Sequence, residues 1–346
     1  MKHFVPRIAV VSVAALCLCN RSRTFSKLTF VVSVILFCAI WLVALQSASA
    51  VTIPTVPVGN PGNGNDPLTG NVYGGVSYAY RIGTTEVTNA QYTTFLNAKA
   101  GSDPFALYNT SMGSTSGGIT RSGAAGSYSY ATITGRSNKP VNFVSWYDSV
   151  RFANWLNNGQ GSGDTEAGAY TLTNATILRT AGATWFLASG NEWYKAAYHE
   201  NDGPTNNYFD YPTGNDAVPA LGPPPGGSNS ANFGFNSGVG DLTNVGAYTD
   251  TKSPYGAFDM AGNVIEWVDT VNVGSTIRGL RGGSWSGNSV NLLSTNFFGY
   301  EAAGETGSIG FRVASITPAA AVPEPSTAVL AIMSCGLMWM LRKRFK

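Results

Sequence analysis

Apolar and polar positions along the chain switch rhythm several times, and each switch predicts an element. From Val76 to Val87 the segment SYAYRIGTTEV alternates, which predicts a strand. Thr88 and Gln91 then stand three apart, as in a capping box, and Tyr92, Phe95 and Leu96 recur at helical spacing. A second helix is predicted from Ser145 and Asp148, followed by Val150, Ala153 and Trp155-Leu156. A third is predicted from Ser189 and Glu192, followed by Trp193, Ala196 and Ala197. Two further strands are predicted over Arg278 to Trp285 and Ser308 to Ser315. Between these elements, residues 101–139 and 201–250 are rich in Gly, Ser, Thr and Asn and read as loops. Residues 51–74, rich in Pro, Gly and Asn, read as a linker. The pattern predicts one compact, loop-rich α+β domain, with no internal repeat between Val76 and Ser315. Loops this long need either bound metal or aromatic packing to fix them.

The two ends have a different character. Residues 1–50 carry Lys2, Arg7, Arg21, Arg23 and Lys27 ahead of the apolar run TFVVSVILFCAIWLVALQ and a small-residue end, Ala48-Ser49-Ala50. This is the pattern of a secretory signal peptide, with an uncleaved anchor as the alternative. At the other end, Val322-Pro323-Glu324-Pro325 precedes an apolar run from Thr327 to Leu341 and the basic tail Arg342, Lys343, Arg344 and Lys346. The run is shorter than the roughly 20 residues of an ordinary spanning helix, and its basic end would stay cytoplasmic. The stretch 322–346 resembles the PEP-CTERM sorting signal. That resemblance implies an exosortase-type transpeptidase as partner, at least transient anchoring in the membrane, and delivery to the cell envelope or extracellular matrix. A plain C-terminal anchor is the other reading.

Setting the ends aside changes the charge. The formal balance of the whole chain is +2. Five basic residues precede Val51 and four follow Leu341, which leaves 12, while every acidic residue except Glu324 remains, which leaves 18. The central domain is therefore near −6 and carries no electrostatic footprint for nucleic acid. All four cysteines, Cys17, Cys19, Cys38 and Cys335, lie in the apolar ends. The domain has no thiol for a disulfide or a nucleophile, and His199 is its single histidine. Zinc sites and serine triads lack their parts.

The densest chemistry lies in YGAFDMAGNVIEWVDT, Tyr255 to Thr270. Asp259 and Glu266 flank a Gly262-Asn263 turn, so carboxylates and backbone carbonyls converge as a calcium ion requires. A polar loop capped by a buried Trp267 is the alternative.

DMAGNVIEW, RGLRGGSW and GFRVAS, with YRIGTTEVTNAQYTTFLNA, PVNFVSWYDSVRFANWLN and WFLASGNEWYKAAYH before them, resemble the formylglycine-generating enzyme, or sulfatase-modifying factor, family in family order. The likeness spans residues 75–316. It implies an elaborated C-type-lectin fold with a small antiparallel sheet and structural calcium. By that match Asp259 and Glu266 bind calcium through side chains, and Gly262 and Val264 through carbonyls. A second site would use Asn232, the Phe233 carbonyl, Asp241 and the Thr243 carbonyl. The catalytic pattern is broken. Where the family's oxidising members place two copper-binding cysteines, this chain has Gly287 and Leu292, which offer no soft ligand, so no copper is expected. Phe186 likewise replaces an arginine.

The resulting expectation is an exported, non-catalytic, calcium-braced module that binds a peptide, glycan or matrix partner. The candidate aromatics for such a surface are Tyr198, Tyr208, Tyr211 and Phe297 to Tyr300, with core or rim packing as the commoner use of each. The alternatives are an oxidoreductase or other enzyme on the same scaffold, with acid and base from Asp148, Glu192, Asp210 or Asp269, and a structural matrix protein.

Overall fold

A computed structural model describes residues 50–174, 176–235, 239–271 and 276–316. The expected export segment apart from Ala50, and the sorting signal at 322–346, lie outside the described residues. Among those described, no helix is long and apolar enough to cross a membrane.

Three helices form where the capping boxes predict them: α1 (Asn89–Lys99), α2 (Trp146–Asn157) and α3 (Gly190–Tyr198). In each, the Thr88, Ser145 or Ser189 side chain accepts from the third helical N–H. The side chain at that position, Gln91, Asp148 or Glu192, accepts from the cap's own N–H. Two otherwise orphaned donors are satisfied at each start, which is why the helices begin there.

The first sheet runs β1 (Thr55–Val58), β2 (Tyr80–Gly83), β10 (Val313–Ser315), β5 (Trp185–Leu187), antiparallel throughout. The second runs β8 (Phe298–Glu301), β7 (Ile277–Arg281), β6 (Ile265–Val271), β9 (Ile309–Phe311), with β6 and β9 parallel. A hairpin, β3 (Ile119–Ser122) and β4 (Ser129–Thr132), stands apart. Strands β9 and β10 are separated by Arg312 alone, so the chain leaves one sheet and enters the other across that residue.

Three expectations need correction. Residues 51–74 are not a linker. Val51, Ile53 and Val58 are buried, and Thr55–Val58 pairs with β2, with Pro57 tolerated because β1 is an edge strand. The stretch 101–139 holds the β3–β4 hairpin, which buries only Ile119 and Tyr130 among its eight residues and so shows little apolar alternation. The strand predicted over Ser308 to Ser315 is two strands in two sheets.

The core is aromatic. Phe95 and Trp155 are 5.3 Å apart, Phe95 and Phe152 are 5.4 Å apart, and Phe152 and Phe311 are 5.4 Å apart, which locks α1, α2 and β9 together. Trp146, Trp193 and Trp267 are also fully buried. Of the candidate aromatics, Tyr198, Tyr208 and Tyr211 take the packing role and are buried, while Phe297 to Tyr300 keep exposed area.

Candidate functional site

Arg312, at the crossing between the sheets, is fully buried and gathers polar groups from four segments. Its Nε and Nη2 donate to the two Glu266 oxygens, each at 2.6 Å. Nη1 donates to the Gly83 carbonyl at the end of β2, and Nη2 also to the Phe258 carbonyl, both at 3.0 Å. The Trp193 indole donates to Glu266 from α3 at 2.8 Å. One guanidinium thus ties both sheets, and through Glu266 a helix, to the loop before β6.

That loop is held in a left-handed shape, with positive φ at Asp259, Gly262 and Asn263. A Cβ at Gly262 would stand 2.1 Å from the Asn232 carbonyl oxygen, so only glycine fits. Asn263 joins the neighbouring loops. Its Nδ2 donates to Glu86 at 2.9 Å, and its Oδ1 accepts from the Thr243 N–H at 3.0 Å and from the Asn232 amide at 3.3 Å.

Three carboxylates, the buried Glu86 and Glu266 and the half-buried Asp259, share this region with Arg312 as their salient cation. Burial and the Asp259 charge push Glu86 well above the ordinary carboxylate range. Burial raises Asp259 to about 6, against the opposing effects of the Gly246 N–H, 2.5 Å away, and Arg312. The Glu86 Oε2 atom is buried without a partner. Three carboxyl groups thus face one guanidinium, and hard oxygen donors suit calcium. Asp259 with the Gly262 and Val264 carbonyls fits such an ion in charge and donor type. Glu266 is differently placed, since Arg312 and Trp193 already engage both of its oxygens. No three His, Cys, Asp or Glu side chains among the described residues converge as a metal-binding group, so backbone oxygens would carry much of the coordination.

The second set does not fit an ion. The Asp241 carboxylate is taken by Arg136, at 2.8 and 3.2 Å, and by Lys139 at 2.8 Å, and these bonds hold its pKa low against burial. Two protein cations stand where a metal would need the charge. The Asn232 amide donates to the Asp241 backbone carbonyl at 3.0 Å, while its Oδ1 is buried and unpartnered. Phe233 packs with Tyr211, Ala231, Ala261 and Leu292.

The positions of the missing thiols have structural uses. Gly287 N–H donates to the Ser284 carbonyl, and the Gly287 carbonyl accepts from Gly234 N–H at 2.7 Å. A Cβ there would meet Asn291 Oδ1 at 2.6 Å. Leu292 is fully buried in its apolar cluster. Neither position presents a ligand for copper.

The remaining candidate carboxylates are distributed. Asp148 caps α2, and Asp210 lies elsewhere, its N–H bonded to Asp216. Glu192 and Asp269 meet at Arg179, which donates to both Glu192 oxygens at 2.9 and 3.0 Å and lies 3.5 Å from Asp269. Arg179 also stacks 4.0 Å over the Phe186 ring, so a guanidinium from another loop covers the position where the arginine is lost. Sequence spacing did not reveal Glu86, Arg136, Lys139 or Arg179 as parts of these clusters.

Burial raises Asp148 and Asp269 to about 7 each, in Asp269 against the pull of Arg179. A carboxyl whose folded value exceeds its unfolded one binds more protons when folded, so its contribution to stability falls as pH rises from about 4 through 7. The domain is expected to resist urea better at pH 5 than at pH 8 on account of these two groups, with Asp259 and Glu86 acting in the same direction. Asp269→Asn should reduce that difference, measured as the change in unfolding midpoint between the two pH values.

A family model, the sulfatase-modifying factor enzyme 1-like domain, matches residues 61–316. The chain belongs to this family. Its α+β, loop-rich architecture is the formylglycine-generating-enzyme-like fold expected from the sequence. Structures similar to this sulfatase-modifying-factor domain include Treponema denticola variable protein 1, which is 20% identical, with 79% of this chain and 98% of that one covered at a TM-score of 0.48. CarF is 23% identical, with 78% and 100% covered at 0.49. PvdO from Pseudomonas aeruginosa is 18% identical, with 77% and 93% covered at 0.44. A search of curated proteins finds no match.

Proposed function

We propose that this sulfatase-modifying-factor domain is a non-catalytic binding module, braced by calcium and displayed at the cell envelope or extracellular matrix. The carrying observation is the fate of the two positions: Gly287 closes a turn with Ser284 where a Cβ would strike Asn291, and Leu292 fills an apolar cluster. The scaffold around them is intact, so binding has been kept and sulfur chemistry has not. Export by residues 1–50 and sorting by an exosortase-type enzyme at 322–346 belong to the same reading, as does a peptide, glycan or matrix partner.

Restoring thiols tests it. The Gly287→Cys/Leu292→Cys variant is expected to lose roughly 2–4 kcal/mol in urea unfolding, since one side chain collides and the other leaves a cavity. A variant as stable as the parent would show that neither position is committed to the fold, and copper-dependent oxidation of a cysteine peptide by the unsubstituted chain would overturn the reading.

Calcium has a separate test. An ion that binds only the folded state raises the melting temperature by mass action. The full chain should melt several degrees higher in millimolar calcium than in chelator and titrate with one ion, because Arg136 and Lys139 close the second set. Asp259→Asn should abolish the shift. Melting that ignores calcium would remove the brace, and two bound ions would refute the assignment of Asp241 to its cationic partners.

A further inference from the structure

A groove of about 280 Å³ opens beside the Gly282-Gly283 turn, on the side of the second sheet that carries β8. Its lining includes Ser284, Asn291, Phe298, Tyr300, Thr306 and Ser308, and among the described residues not one charged side chain. From this groove we infer that the domain binds a neutral saccharide. The inference rests on the non-catalytic reading above and names the ligand class for it.

Three features carry it. The first is the absence of counter-charge. A carboxylate, sulfate or ammonium entering the groove would lose water without gaining a partner, which is costly. The second is a preformed aromatic wall. Phe298 and Tyr300 are two apart on the edge strand β8, so they project to the same face. Tyr300 is 41% exposed, yet its ring is positioned by Trp267, 6.3 Å away, and by Gly304 beneath it. A Cβ at Gly304 would lie 2.1 Å from the ring, so glycine there admits the tyrosine to this position. The third is a set of neutral hydrogen-bonding groups. Thr306 and Ser308 hydroxyls stand 3.2 Å apart, those of Ser284 and Ser286 3.3 Å apart, and Asn291, whose Oδ1 accepts from the Asn288 N–H, lines the same groove.

A sugar ring has these needs together: a C–H face for an aromatic ring, and hydroxyls for neutral donors and acceptors. The volume admits about one or two hexose rings, at the small end of ligand pockets. A ligand of that size in an open groove is expected to bind with Kd on the order of 1 mM. A peptide adding to the edge of β8 would instead rely on strand hydrogen bonds and would not need the uncharged hydroxyl and amide lining.

The experiment uses the full chain in a zwitterionic detergent without a sugar headgroup. The probes are cellotriose, maltotriose, tri-N-acetylchitotriose, a uronic acid trimer and an uncharged heptapeptide, each titrated to 10 mM and read by saturation-transfer NMR. At least one neutral trisaccharide should bind, and the uronate should not. Tyr300→Ala and Gly304→Ala should each weaken that binding at least tenfold, the first by removing the ring and the second by displacing it. Their melting temperatures show whether each variant is folded, and one folded variant suffices. The inference is overturned if no neutral saccharide binds, if the uronate or the peptide binds in preference, or if both folded variants bind like the parent. Preferential peptide binding would sink the saccharide while leaving the non-catalytic module standing. Oxidative turnover of a cysteine peptide would instead remove the reading on which the saccharide rests.

Discussion

Replacing Arg312 with methionine is expected to destabilise the domain by about 3–5 kcal/mol, the cost of stranding a buried charge by removing its partner. Here the loss is compounded. Glu266 would lose both guanidinium bonds, the Gly83 and Phe258 carbonyls would each lose a donor, and Glu86 and Asp259 would lose the cation that moderates their repulsion. Glu266→Gln should cost less, because it removes one negative charge from a region that has too many. The Arg312→Met/Glu266→Leu double variant should fall closer to the parent than Arg312→Met alone, since an apolar pair can replace a buried ion pair at little cost. Urea unfolding of the three variants gives this ordering directly. Equal losses for Arg312→Met and Glu266→Gln would show that charge excess is not what Arg312 answers.

Gly262→Ala is the second large effect. The backbone there has φ near +83°, which costs an alanine about 1–2 kcal/mol before any contact is counted. The added methyl would also stand 2.1 Å from the Asn232 carbonyl oxygen, which must move. That carbonyl accepts from Asn263 N–H at 2.8 Å, so the displacement breaks the turn's own bond as well. A total loss of about 3–4 kcal/mol is expected from strain and the lost hydrogen bond together. The proposed calcium-dependent rise in melting temperature should vanish with it, because Gly262 and Val264 lie in or beside the displaced turn. A variant that melts within a degree or two of the parent, with its calcium response intact, would mean that the loop is far more pliable than its packing indicates.

The helices were legible in the sequence because their starting signals are local. Thr88 and Gln91, Ser145 and Asp148, and Ser189 and Glu192 complete their bonds three residues apart, whatever the rest of the chain does. The polar knot was legible only in part. Asp259, Gly262, Asn263 and Glu266 stand together in sequence, but their partners do not: Glu86 meets Asn263 across 177 positions, and Arg136 meets Asp241 across 105. Spacing cannot tell which charge a distant guanidinium will answer, so the family resemblance offers Asp241 as a metal ligand where the fold sets Arg136 and Lys139 upon it. The same limit explains Tyr198 and Tyr208. A tyrosine beside polar residues reads as a surface ring, yet Tyr198 is buried with its hydroxyl on the Leu292 carbonyl, and Tyr208 is buried with its hydroxyl on the Gly64 carbonyl. Strand β1 was missed because Pro57 argues against a central strand, and only the tertiary fold shows it to be an edge.

The most direct measurement is the mass of a cysteine-containing sulfatase peptide after incubation with the full chain, oxygen, reductant and copper(I), compared with a peptide-only control. The account predicts an unchanged peptide, because Gly287 and Leu292 supply no thiolate and their surroundings are filled by Asn291 and the apolar cluster. Conversion of the cysteine to formylglycine, dependent on the protein and lost when it is unfolded, would contradict it.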